Sequence, residues 1–117
     1  MALARERRFD DAVGAFEDFL RREPNHDQAW IAYAQMSKKR YMQQGAPALA
    51  YEACGSVLDR GIVANAASGQ LWQARGLLEL QQGKAVEAKK LLEKAVALDE
   101  SLAPVLRWKA VREVDEQ

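Results

Sequence analysis

The side chains that do most enzymatic chemistry are scarce in this chain. His26 is its one histidine and Cys54 its one cysteine among 117 residues. His26 stands beside an acid in Pro24-Asn25-His26-Asp27, a pairing that elsewhere serves proton transfer. The proline and asparagine before it mark a turn, and a solvated turn histidine accounts for the pattern. Cys54 falls on the apolar stripe of a helical segment, where a packed and inert thiol is expected. A zinc site takes about four ligands, which one histidine and one cysteine do not supply. The carboxylate pairs Asp10-Asp11 and Glu17-Asp18 are expected on exposed helix faces, where neighbours do not converge on a substrate. No glycine cluster that could cradle phosphate precedes a helix. The residues describe a non-catalytic protein with no metal site and no cofactor.

Nucleic-acid chemistry has a stronger claim. Lys38-Lys39-Arg40-Tyr41 sets a basic run beside an aromatic, and Lys84, Lys89, Lys90 and Lys94 recur along one helix. Aromatic stacking combined with phosphate contacts is one way to hold a single strand. Yet 17 basic residues balance 17 acidic ones, and phosphate-led binding favours a basic domain. Glu87 and Glu93 also interrupt the lysine series. A solvated face with ion pairs inside the helix is the simpler reading. Trp30 and Trp72 are expected in the core rather than as platforms for bases.

Helices must position whatever this chain binds. Threonine is absent, prolines number three, and alanine, leucine, glutamate, lysine and arginine abound, a helix former's alphabet. No strand-like alternation occurs. Apolar spacing predicts a short opening helix over Ala2–Arg7 ending in a tight turn near Arg8, then a helix from Phe9 to about Arg22 that Pro24 stops. Asn25 or Asp27 is expected to cap a third helix reaching about Gln44, where Gly45 ends it. Pro47 opens a fourth helix, Gly61 closes it, and Ile62–Ser68 reads as a connector. Two more helices are expected over Gly69–Gln82 and Ala85–Leu98. Ser101 would cap a last helix from Pro104 to about Asp115. The lone cysteine excludes an internal disulfide, and Met1–Arg8 lacks the apolar core of a signal peptide. Both predict a reducing intracellular compartment (cytoplasm, nucleus or organelle stroma) and not secretion. No apolar run approaches the roughly 20 residues of a membrane span.

Leu71-Trp72-x3-Gly76, followed by Gly83, Ala88, Leu92 and Ala95, reads as one helix–turn–helix repeat. A sparser copy lies upstream in Phe9, Ala12, Phe16 and Pro24, leading into Ala29-Trp30-x2-Tyr33-Ala34. On these residues the chain resembles a tetratricopeptide-type array, and Trp30-x2-Tyr33-Ala34-x-Met36 resembles its half-a-tetratricopeptide variant more closely. The resemblance implies a single all-α domain over residues 1–117. Its architecture would be a right-handed α-α superhelix, a solenoid of about three helix–turn–helix repeats with a C-terminal capping helix. Trp30 and Trp72 lie 42 residues apart, eight more than the common repeat of about 34. About one extra turn is placed in the third helix and the remainder in the Ile62–Ser68 connector. Trp108 does not fit the repeat's aromatic position, and Arg107, Lys109, Arg112, Glu113, Asp115 and Glu116 suit a polar cap. The short opening helix suggests a piece of a longer array, or a chain completed by a neighbour.

In such arrays the first helix of each pair lines the concave face. The resemblance therefore implies a groove of Gln28, Ile31, Gln35 and Lys38 beside Gln70, Gln73, Leu77 and Gln81, with Arg107 at the far end. Family members that grip a peptide's terminal carboxylate place lysine, arginine and paired asparagines there. Ile31, Ala32, Gln35, Gln73, Ala74 and Leu77 stand at those positions instead, which argues against a carboxylate clamp. An amide-rich groove with apolar spots suits an extended peptide segment or a partner helix. The expected function is that of a protein–protein interaction or scaffold module in a larger assembly. The alternative is an RNA-binding or RNA-processing module of the half-a-tetratricopeptide type.

Overall fold

Two glycines decide where the helices reverse. Gly45 and Gly83 have φ of 72° and 79°, in the left-handed region that glycine enters without a Cβ penalty. The hydrogen bonds around them match one for one. Gly45 N–H donates to Met42 O at 3.0 Å and Ala46 N–H to Tyr41 O at 2.9 Å. Gly83 N–H donates to Leu80 O and Lys84 N–H to Glu79 O, both at 3.0 Å. Each glycine follows one helix and precedes its hairpin partner.

The structure, a computed structural model, describes residues 2–112, and every regular element among them is helical. The chain divides into two compact units, Met1–Asn65 and Ala66–Gln117. The first holds α1 (Ala2–Arg22), α2 (Asp27–Gln43) and α3 (Pro47–Ala64). Its core is Leu20, Trp30, Tyr33, Ala34, Ala50, Cys54, Val57 and Leu58, so Cys54 is packed as its stripe position predicts. The second holds α4 (Gly69–Gln81), α5 (Ala85–Leu98), a 3-10 helix (Glu100–Arg107) and α6 (Lys109–Arg112). Gly76 is where α4 and α5 meet. A Cβ there would lie 2.9 Å from Leu92 Cγ and Cδ2 and 3.2 Å from Ala88 O, so the missing side chain sets the crossing distance.

Several sequence expectations need correction. First, α1 runs unbroken through Arg8 and Phe9, because that stretch holds no helix breaker and its flanking acids are tied to the next helix. Second, the N-cap of α2 is His26 itself, whose Nδ1 accepts the Ala29 N–H at 3.1 Å. Third, α3 continues past Gly61 to Ala64, so the first three residues of the expected connector are helix. The extra turn expected in the third helix is present in α2, and the remainder lies in α3 rather than in the connector. α2 has 17 residues to the 13 of α4, and α3 has 18 to the 14 of α5. Fourth, Asp99 rather than Ser101 opens the last segment, Oδ1 accepting the Ser101 N–H at 3.0 Å and its hydroxyl at 2.7 Å.

That last segment is not one helix from Pro104. Proline removes a donor, and Pro104 lies inside a 3-10 run that breaks at Trp108 (ψ 137°) before α6. Val105 and Val111 bury against Leu92, with Leu77, Leu80, Val96 and Leu106 packed around them. The segment thus covers the apolar edge of the second unit, while Trp108 remains 50% exposed. The expected cap residues Glu113, Asp115 and Glu116 lie outside the described residues.

The two kinds of glycine separate experimentally. Nothing lies within 4 Å of a Cβ built on Gly83, so Gly83→Ala meets only backbone strain and is expected to cost about 1 kcal/mol in urea unfolding. Gly76→Ala gains helix propensity but intrudes on Leu92, so a net loss of about 1–2 kcal/mol is expected. A stabilised Gly76→Ala protein would show that the crossing is not limited by contact.

Candidate functional site

The outward stripe of α2 is set by what its other side must bury. Trp30, Tyr33, Ala34 and Ser37 are buried, at helical spacing along one face. Trp30 is fixed further by its indole N–H, which donates to Pro24 O at 2.8 Å. Gln28, Ile31, Gln35 and Lys38 then share another face, where Gln28 and Gln35 are exposed and Ile31 and Lys38 half-buried. The structure brings these four expected residues onto one stripe of one helix.

α4 repeats the entry. Ser68 Oγ caps it by accepting the Leu71 N–H at 3.3 Å, and the Trp72 indole donates to Ala66 O at 2.8 Å. Trp72 is half-buried rather than enclosed, with Lys94 Nζ 5.8 Å from its ring centroid. Gln81 is exposed and Gln70 and Gln73 half-buried. Leu77 turns partly into the cluster around Leu92, and exposed Arg107 stands on the 3-10 helix, off α4.

A polar centre that sequence reasoning missed joins the three helices of the first unit. Glu17 accepts from both terminal nitrogens of Arg60, each at 2.7 Å, and from the Tyr33 hydroxyl at 2.6 Å. The Arg60 guanidinium also lies 5.2 Å from the Trp30 ring centroid, and the Phe16 and Tyr33 rings stack at 5.2 Å. Hydrogen bonding from Arg60 outweighs the desolvation that opposes it and, with the Tyr33 bond, lowers the Glu17 pKa from its ordinary 4.5 to about 2. Burial, then the negative partner, pushes Tyr33 up to about 12. The expectation of Glu17 as a solvated carboxylate is therefore corrected. The only sequence signal was a carboxylate one position from the apolar Phe16, too common to select it.

The same arginine rims a pocket of about 430 Å³ lined by Trp30, Asp59, Arg60, Val63 and Ala64. Val63 is 86% exposed, so the pocket presents apolar surface able to receive an aliphatic side chain. It went unseen in sequence because Val63 and Ala64 were read as connector.

Some cations that could serve a nucleic-acid strand are paired within the fold, while Lys39, Lys90 and Lys94 stay exposed. Arg40 pairs with Glu6 at 2.9 Å and Asp10 at 2.8 Å, and its guanidinium lies within 6 Å of the Phe9 and Tyr41 ring centroids. Gln44 adds a bond to Glu6. Lys84 reaches Glu79, which Arg75 also engages. No cluster of metal-ligating side chains occurs among the described residues, and no described helix is long and apolar enough to cross a membrane.

A tetratricopeptide-repeat family model matches residues 1–36, which span α1 and the first part of α2. The match supports a tetratricopeptide-like repeat, and it falls on the copy whose motif residues are sparser. Such repeats generally mediate protein–protein interaction and are generally non-catalytic. No curated protein and no solved structure matches the chain.

The polar centre yields an acid signature. The folded pKa of Glu17 lies below its unfolded value, so its contribution is complete above about pH 4.5 and is lost as pH falls towards 2. With Glu17 about a third exposed, solvent screening reduces that contribution to about 1–2 kcal/mol. Urea melts of the wild type should lose that much more stability between pH 5 and 2.5 than melts of Glu17→Gln. Parallel losses would remove Glu17 from the acid response.

Proposed function

We propose that this chain is a non-catalytic interaction module of the half-a-tetratricopeptide kind. Its α2 stripe holds a protein partner, an extended segment or a helix, within a larger assembly, and the α4 stripe is a second such surface in its own right. The observation that carries this reading is the stripe of Gln28, Ile31, Gln35 and Lys38 on α2, set apart from the buried face and supplying amides beside an apolar spot. Primary amides both donate and accept, which suits the alternating N–H and C=O groups of an extended backbone. Ile31 adds an apolar contact, and Gln70, Gln73, Leu77 and Gln81 offer the same chemistry on α4, with Arg107 as a further polar contact. An intracellular setting agrees with a buried Cys54.

The RNA reading draws on the same family resemblance and on the Lys38–Tyr41 run. Its weakness is local: Arg40 is held by two carboxylates, and Lys84 and Lys94 lie against Glu79 and Trp72. Protein partners are therefore the favoured class.

The test is affinity purification of the tagged chain from its own cells, with and without nuclease, followed by mass spectrometry. Partners are expected to survive nuclease and to be depleted at least tenfold with the Gln35→Ala/Gln73→Ala double variant, whose Tm stays within about 1 °C of wild type. Undiminished recovery refutes the stripe assignment. Loss of partners on nuclease treatment, with RNA recovered, puts the RNA reading first.

A further inference from the structure

The two hairpins share a register that exposes one difference in size between them. Asn65 N–H donates to Gly61 O at 2.8 Å and Asp99 N–H to Ala95 O at 2.9 Å, so α3 and α5 end in the same way. The Trp30 and Trp72 indoles donate to Pro24 O and Ala66 O, each six residues earlier, so α2 and α4 begin in the same way. The cations agree with this match. Arg60 lies 5.2 Å from the Trp30 ring centroid, and Lys94, its counterpart, lies 5.8 Å from that of Trp72. One turn further along, the correspondence fails. Ala64 stands where α5 has Leu98, a methyl group in place of an isobutyl group.

The pocket of about 430 Å³ opens at that position, lined by Trp30, Asp59, Arg60, Val63 and Ala64. Val63 is bulkier than its counterpart Ala97, but it is largely exposed and so walls the pocket without filling it. Trp30 belongs to the buried face of α2, a different face from that of Gln28 and Gln35.

Volume alone would admit any apolar group, and charge narrows the class. Arg60 gives both terminal nitrogens to Glu17, and Arg21 and Arg22 pair with Asp18. α3 has no basic residue in its last turn. Its C-terminal carbonyls therefore bring a negative dipole to a rim that already holds the Asp59 carboxylate. An acyl chain under an anionic headgroup meets repulsion there. A protein segment with lysine or arginine beside its apolar residue meets attraction.

We propose that this pocket seats a leucine side chain carried on a basic segment of a partner protein, at a site separate from the α2 stripe. Trp30, Val63 and Ala64 enclose the isobutyl group where the register places Leu98 in the second unit. A flanking cation approaches Asp59 and the end of α3. Arg60 is a fixed wall, held between Glu17 and the Trp30 ring, so the pocket is formed before the ligand arrives.

The probe is the capped tripeptide acetyl-Lys-Leu-Lys-amide, titrated into the isotope-labelled full chain by NMR. Saturable shifts are expected at the Trp30 indole N–H and at the Val63 and Ala64 amides. Replacing the probe's leucine by alanine should weaken binding about tenfold. Replacing both lysines by glutamate should weaken it about threefold, a gap that closes at high salt. Ala64→Leu introduces the side chain that α5 already carries, so the chain stays folded with its pocket filled, and binding should fall about tenfold. Val63→Asn removes one wall at an exposed position, where the fold is insensitive, and should weaken binding about threefold. No saturable binding, undiminished binding by both variants, or equal binding of the alanine or glutamate probe overturns the proposal. So do shifts confined to Gln28 and Gln35, an outcome that leaves the stripe reading standing.

Discussion

Each hairpin rests on a single residue held in a backbone conformation that side chains with a Cβ resist. Gly45 and Gly83 end one helix, satisfy its last carbonyls and send the chain back along the same axis. Everything downstream inherits that reversal. Pro47 can open α3 because the turn has already been made, and Leu92 can bury against Gly76 because α5 returns at the right height. Gln28 and Gln35 of α2 face outward for the same reason, since the returning helix claims the other side.

Within that frame the first unit relies on charge to a degree the second does not. α4 and α5 meet through a glycine pressed on leucine, with the ion pairs around Glu79 at the rim. α1 meets its neighbours through half-buried aromatics and two ionic centres, Arg40 with Glu6 and Asp10, and Glu17 with Tyr33 and Arg60. Desolvation erodes the worth of such centres, but their geometry is directional. They fix the rotation of α1 about its axis, which apolar contact alone would leave loose.

The all-helical reading was legible because its signals are local. Pro24, Gly45, Pro47 and Gly83 act through their own backbones, and the Trp72, Gly76, Ala88 and Leu92 spacing is a packing pattern written at helical period. The failures were local competitions with close outcomes. Asn25, His26 and Asp27 could each cap α2, and the imidazole won. Gly61 was read as a stop, yet packing carried α3 through it for another turn. Glu17 was illegible for a different reason: its partners lie 16 and 43 residues away, and no local rule marks a carboxylate that will find both. The stripe residues were inferred from family geometry, which no local sequence signal replaces.

The lengthening of both helices in the first hairpin carries a lesson about how such a unit can vary. Four residues add about 6 Å and advance a helix by about 40° beyond a full revolution, so the stripe keeps its heading within the width of a side chain. Two residues would swing it by about 160° and bring polar side chains under the neighbouring helix, and three would turn it by about 60° in the sense opposite to four. Matching the gain in α2 with an equal gain in α3 keeps the hairpin ends flush, and neither helix projects an uncovered turn. Hairpin size is thereby quantised: a unit of this kind grows by whole turns taken in pairs, and an unpaired insertion is tolerated only where the chain is already outside a helix.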